Sequence, residues 1–170
     1  GGHPTIVIGD NAFQNVISLT SVTIPYTVRT IGNGTFQGCS SLKSVTIPAS
    51  VTYIGSAAFK DCISLPSITI SSSVTFIGKE VFSNCNSLAR INVDDGNARY
   101  VSMDGVLYNK SMTALIQCPI KKTGALNIPH GVMTIGERAC YLCEFLTSVS
   151  IPDTVTTIGS RAFAGCSNLT

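Results

Sequence analysis

The segment Ile31–Tyr53 (IGNGTFQGCSSLKSVTIPASVTY) returns almost letter for letter as Ile54–Phe76 (IGSAAFKDCISLPSITISSSVTF). No other feature restricts the possible fold as much. The copies share I-G-x-x-x-F-x-x-C-x-S-L-x-S-[VI]-T-I-x-x-S-V-T at a period of 23 residues. A constant period of this length specifies an array of equal coils. One such unit cannot bury its own apolar side chains, so neighbouring coils must stack, each touching only the next.

Copies are read at 8–30, 31–53, 54–76, 77–99, 100–134, 135–157 and, truncated, 158–170. The fifth is irregular. Ile135 follows Ile77 by 58 residues where two periods would give 46, an excess of 12. Ile128-Pro129 precedes Ile135-Gly136 by seven residues, as Ile47-Pro48 precedes Ile54-Gly55, so the second half of that coil is intact. Its front half is replaced by YVSMDGVLYNKSMTALIQC, residues 100–118. Asp104-Gly105 between β-rich runs is a hairpin turn signal. A second turn over 109–112 leads into Thr113–Cys118, with Leu115 and Cys118 facing inward. The insertion therefore reads as a short hairpin or meander standing off the solenoid. Packing of Tyr100, Met103, Val106, Leu107 and Tyr108 against the coils is the favoured role for its apolar residues.

Within a coil, Leu42-x-x-Val45-x-Ile47-Pro48 alternates apolar and polar residues, giving a short strand with Val45 and Ile47 inward and Ser44 and Thr46 outward. Pro48 stops it. Val51 and Ile54 return to the core along a second extended segment, and Gly55 is expected to turn the next corner with a positive φ. Ala58, Phe59, Cys62 and Leu65 have spacings that fit one and a half helical turns. The expected fold class is thus an α/β-type, β-rich solenoid with one parallel strand per coil on one face, and second short strands and helical turns elsewhere.

Composition narrows the function. Net charge is +2 with 12% charged residues, which gives no electrostatic basis for nucleic acid or acidic membranes. No apolar run approaches the ~20 residues of a bilayer span, and Gly1–Pro4 does not resemble a secretory leader. A chain that opens on glycine and stops within a repeat reads as a fragment of something longer. Of seven cysteines, Cys39, Cys62 and Cys85 are 23 apart, as are Cys143 and Cys166. A residue recurring at one phase is a packing position, so buried thiols are expected in preference to disulfides. Cys140-x-x-Cys143 lacks a second pair and its members fall in different core columns, which argues against zinc.

The pattern L-x-x-[VI]-x-I-P-x-x-V-x-x-I-G-x-x-A-F-x-x-C, recurring from Ile8 onward, resembles the BspA-like leucine-rich repeat of bacterial and protist surface proteins. The interruption resembles that family's hairpin-bearing variant repeat. The resemblance implies a right-handed solenoid leucine-rich repeat fold and a role in adhesion or protein binding, with secretion or surface display. Departures are Val16 for Cys, Ser71 and Asp94 for Pro, and Cys140 for Phe. Tyr141 or Phe145 is expected to fill the space beside Cys140.

No nucleophile–base, paired-carboxylate or phosphate-loop pattern appears, so no enzyme activity, cofactor or metal is expected. His3 and the turn residue His130 read as solvated, and Asp94-Asp95-Gly96-Asn97 as turn chemistry rather than a calcium loop. The candidate site is the outward row of the strand face: Ser44, Thr46, Ser67, Thr69, Arg90, Asn92, Asn127, Ser148 and Ser150. Hydroxyl columns also simply solvate a β face; Arg90 and Asn92 break them next to the insertion. The expected function is non-catalytic binding of a host or extracellular-matrix protein or glycan by a surface adhesin, through the strand face, the inserted hairpin or both, with any specific recognition where the repeat is broken, around Arg90 to Thr123. A structural spacer, or an accessory domain of a larger surface protein or enzyme, is the alternative. Asn33-Gly34-Thr35, Asn109-Lys110-Ser111 and Asn168-Leu169-Thr170 are glycosylation sequons that matter only on a eukaryotic secretory route.

Overall fold

The computed structural model describes residues 4–170, so His3 lies outside the described residues. It is a β-solenoid of stacked coils. On one face lie β2 (Ser21–Thr23), β4 (Ser44–Thr46), β6 (Ser67–Ile70), β8 (Arg90–Val93), β12 (Gly124–Asn127) and β14 (Leu146–Ser150). On another lie the shorter β1 (Ile6–Ile8), β3 (Val28–Ile31), β5 (Tyr53–Ile54), β7 (Phe76–Ile77), β11 (Ala114–Gln117), β13 (Thr134–Ile135) and β15 (Thr157–Ile158). Successive coils pair in parallel, one period apart: Val22 with Val45, Ile31 with Ile54, Ile68 with Ile91.

Identical residues at identical heights form ladders through the interior. Phe13, Phe36, Phe59 and Phe82 stack with centroids 5.4, 5.4 and 6.2 Å apart. The cysteine column is also a hydrogen-bond column. Cys39, Cys62 and Cys85 each donate Sγ–H to the carbonyl of the preceding coil's phenylalanine, at 3.1, 3.2 and 3.1 Å. All seven cysteines are free thiols and six are buried. A cysteine therefore fills a small apolar slot and satisfies a carbonyl at once, which valine cannot do.

Two local expectations are corrected. No helix forms among the described residues, so the α component of the expected class is absent; the Ala58–Cys62 region is a run of turns. Residues at two phases per coil, such as Ala57 (φ 56°) and Asp61 (φ 60°), are left-handed and cannot sit inside a helix. Their N–H groups bond the next coil instead: Ala57 to Lys79 O at 2.9 Å, Phe59 to Val81 O at 3.1 Å, Asp61 to Ser83 O at 2.9 Å. Gly55 does not have a positive φ. It is glycine because a Cβ there would lie 2.5 Å from Asn33 N and 2.6 Å from Gly32 C of the preceding coil.

The insertion does not stand off the solenoid. Asn97 takes the core position of Val51 and is 1% exposed. Its Nδ2 donates to Ser71 O (2.8 Å) and Val74 O (3.0 Å), and its Oδ1 accepts from Arg99 N and Tyr100 N (both 2.8 Å). This knot turns the chain out of the coil path and into β9 (Tyr100–Met103) and β10 (Val106–Asn109), an antiparallel hairpin. The hairpin crosses the stack. At its base the Tyr100 hydroxyl accepts from Ile77 N–H (3.0 Å), and at its tip Gly105 O accepts from Ile91 N–H (2.9 Å) on the opposite face. Val106, Leu107 and Tyr108 are at most 1% exposed, because the hairpin replaces half a coil of core and must bury what that half coil would have buried. Only Met103 of the expected packing residues stays exposed. Buried Tyr108, in one cluster with Cys118, Cys140 and Cys143, occupies the region assigned to Tyr141 or Phe145; Phe145 is exposed with Lys121 Nζ 4.3 Å from its ring centroid. The core is thereby split in two, one cluster running from Ile24 to Leu107 and the other from Val106 to Ala162.

Candidate functional site

The strand face has the expected register. Ser21 pairs with Ser44 and Thr23 with Thr46; Ser67 pairs with Arg90 and Thr69 with Asn92; Asn127 pairs with Ser150. Ser44, Thr46, Ser67, Thr69, Arg90, Asn127, Ser148 and Ser150 are exposed, and Asn92 is half-buried. The row is not continuous, because the hairpin tip lies between Arg90 and Asn127. Ser102 Oγ donates to Ile91 O (2.6 Å) and Lys122 Nζ to Asp104 O (3.0 Å). A cleft of about 40 Å³ between Met103, Asp104, Lys122 and Asn127 lies there, too small for a ligand. The face offers dispersed hydroxyls and one cation.

A larger concavity opens on the other side of the break. In regular coils the turn after Ile-Gly is covered by the same turn of the next coil. Gly78–Phe82 of coil four has no such cover, since the front half of coil five was replaced and the matching turn comes only at Gly136–Arg138 of coil six. The result is a cavity of about 670 Å³, walled by Ile77–Phe82 and Gly136–Arg138 and floored by Leu107 and Ala114–Gln117. That volume lies in the range of small-molecule and peptide pockets. Phe76, stacked on exposed Tyr53 at 4.7 Å, forms part of the rim.

Glu80 and Arg138 hold the same phase in coils four and six, both left-handed (φ 55° and 54°), and their side chains form an ion pair across the gap. Lys60 Nζ donates to Glu80 Oε2 at 2.9 Å. That bond, reinforced by the charges of Lys60 and Arg138, holds the Glu80 carboxyl below the usual range against the opposing effect of burial. Arg138 Nε is buried without a hydrogen-bond partner. Among the described residues no group of three His, Cys, Asp or Glu side chains is placed to hold a metal ion. His130, in the turn after β12, lies with Nε2 3.5 Å from Asp153 Oδ1, both well exposed. Among the described residues no helix is long and apolar enough to cross a membrane.

The family model for the BspA type leucine rich repeat region matches residues 6–123 and 111–170, in six copies. The chain belongs to the BspA-type leucine-rich-repeat family. Three solved structures carry the same fold. A leucine rich cell surface protein of Faecalibacterium prausnitzii is 39% identical, with TM-score 0.87 over 95% of this chain and 43% of that one. The pneumococcal vaccine antigen PcpA is 28% identical, with TM-score 0.91 over 96% of this chain and 41% of its own. A leucine-rich repeat protein of Eubacterium ventriosum is 30% identical, with TM-score 0.79 over 94% and 48%. The chain thus spans less than half the length of these proteins. No curated protein matches the chain by sequence.

The cavity lies at the break in the repeat, and of its walls the sequence pointed only to the inserted segment, with Leu107, and not to Glu80 or Arg138. Glu80 and Arg138 are 58 positions apart and look like ordinary exposed charges in turns. One signal was available. Their phase carries Asn11, Gly34, Ala57 and Arg161 in other coils, so opposite charges occur there only in the two coils flanking the insertion.

Proposed function

We propose that this chain is a non-catalytic recognition domain of a bacterial cell-surface protein, and that it holds a protein or glycan partner at the break in its stack. The observation that carries this reading is the cavity between Phe82 and Arg138, where the break in the repeat leaves an apolar, ligand-sized concavity rimmed by charges. A regular coil has no use for an ion pair at that phase; a site has. The similarity to the Faecalibacterium cell surface protein and to the pneumococcal vaccine antigen supports surface display. The strand face, with Arg90 and Asn92 beside the hairpin tip, is a secondary contact surface in this reading.

The test is adhesion of the chain to immobilised matrix proteins and to a glycan array. Ala114→Trp fills the cavity from its floor, and Arg90→Glu with Asn92→Ala alters the strand face. Loss of adhesion in the first and retention in the second is expected. Adhesion indifferent to Ala114→Trp would remove the cavity from the function, and adhesion to nothing would favour the structural spacer.

A further inference from the structure

We propose that the cavity takes an extended peptide segment, which adds as a strand to the free backbone edge of Ile77–Phe82. The proposal rests on the reading of the break as the binding site and names the occupant. Wherever a regular coil follows, this backbone edge is paired. Asn11 and Phe13 donate to Asn33 O and Thr35 O, Gly34 and Phe36 to Ser56 O and Ala58 O, and Ala57 and Phe59 to Lys79 O and Val81 O, all between 2.8 and 3.1 Å. Past the break, Arg138 and Cys140 donate to Ser160 O and Ala162 O at 2.9 and 2.8 Å. Glu80 N–H and Phe82 N–H, at the same phases, donate to no acceptor among the described residues. Ile77 O also lacks a donor, although Ile31 O and Ile54 O each accept from the glycine of the next coil at 2.8 Å. In coil four, then, Ile77 O and the N–H groups of Glu80 and Phe82, the two donors two residues apart, line the cavity wall without a partner.

The complement of such an edge is another backbone. Coils one to three show that this turn geometry accepts a neighbouring backbone, there a turn of the same kind. The remaining walls suit alternate side chains. Leu107, Ala114 and Ile116 form an apolar floor, while Lys79 and Gln117 lie on polar parts of the lining. Buried Arg138 Nε–H offers one more donor to a carbonyl or carboxylate. A glycan would meet few side-chain acceptors, because Glu80 already serves Lys60 and Arg138. This is strand addition, in which main-chain bonds supply affinity and alternate pockets supply specificity.

The experiment titrates the ¹⁵N-labelled chain with peptides chosen from a random hexapeptide array, each acetylated and amidated. For the tightest binder, an analogue with its central amides replaced by esters, which are weaker acceptors, is titrated in parallel. Expected results are downfield shifts and slowed exchange of the Glu80 and Phe82 amide protons, at least tenfold weaker binding of the ester analogue, and at least tenfold loss in Ala114→Trp. Ala114→Leu, a smaller block, is run beside it so that a misfolded variant does not decide the matter. If saturating peptide leaves both amides unchanged, strand addition is overturned. A glycan that binds in an Ala114-sensitive way without amide protection also overturns it, while the break remains the binding site. A partner displaced only by Arg90→Glu with Asn92→Ala overturns both readings.

Discussion

The glycine after each core isoleucine gives a sharp test of how these coils are held together. Gly9, Gly55 and Gly136 occupy the same repeat position, and none has a positive φ. What distinguishes them is the coil beneath. A Cβ on Gly55 would lie 2.5 Å from Asn33 N, 2.6 Å from Gly32 C and 2.8 Å from Asn33 Oδ1. Two of those atoms are backbone, so ordinary contact at 3.4 Å requires coils two and three to part locally by roughly 0.9 Å. That movement strains the bonds at the corner, Gly55 N to Ile31 O at 2.8 Å and Ser56 N to Asn33 Oδ1 at 2.8 Å. Overpacking of this kind costs about 1–3 kcal/mol, and weakening of the two bonds should place Gly55→Ala at about 3 kcal/mol. A Cβ on Gly136 would meet Leu115 O at 3.1 Å and other atoms only at 3.6 Å or beyond, because the regular turn of coil five is replaced, and Gly136→Ala should cost about 1 kcal/mol or less. Gly9, in the first coil, has nothing within 4 Å, and Gly9→Ala should be neutral or stabilise by about 0.4–1 kcal/mol through the unfolded chain. Urea denaturation of the three single variants, with m-values compared, measures the series. Equal effects at the three positions would refute the steric argument and restore a conformational one.

Two further predictions follow from the same packing. Phe59→Ala removes a fully buried ring stacked between Phe36 and Phe82, and should cost ~3–5 kcal/mol; amide exchange should quicken in the adjoining coils but not beyond the hairpin, where a separate core begins, and unchanged thermal unfolding would contradict it. Burial raises the thiol of Cys62 and pushes that of Cys85 up to about 12 from an ordinary 9.0. Above pH 9 the unfolded chain therefore releases protons that the folded chain keeps, so the thiol contribution should be flat below pH 9 and stability should fall between pH 9 and 12. Each such thiol contributes a slope of about 1.4 kcal/mol per pH unit, and a Cys85→Ala chain whose urea midpoint falls as steeply between pH 8.5 and 10.5 would sink the assignment.

The period, the phase of each core column and the parallel strands were legible because a repeat states its own contacts: Phe36, Phe59 and Phe82 recur at one spacing, so they must stack at one height. The polar row from Ser44 to Ser150 was legible for the same reason, and its alternation translates directly into two faces of a strand. Local geometry was less so. The spacing of Phe59, Cys62 and Leu65 fits a helix, and the turn that forms instead depends on the carbonyls of a coil 23 residues away outcompeting those four residues back.

What the sequence by itself determined is the coil and its stacking, since each coil meets only its neighbours and those neighbours repeat it. Only the tertiary structure decided what happens where the repeat fails. Residues 100–118 carry no second copy with which to be compared, and their course is set by long-range contacts: Asn97 bonded to Ser71 and Val74, Tyr100 to Ile77, Gly105 to Ile91. Those contacts draw the hairpin across the core and leave the edge of coil four uncovered. The cavity between Glu80 and Arg138 follows from that one departure.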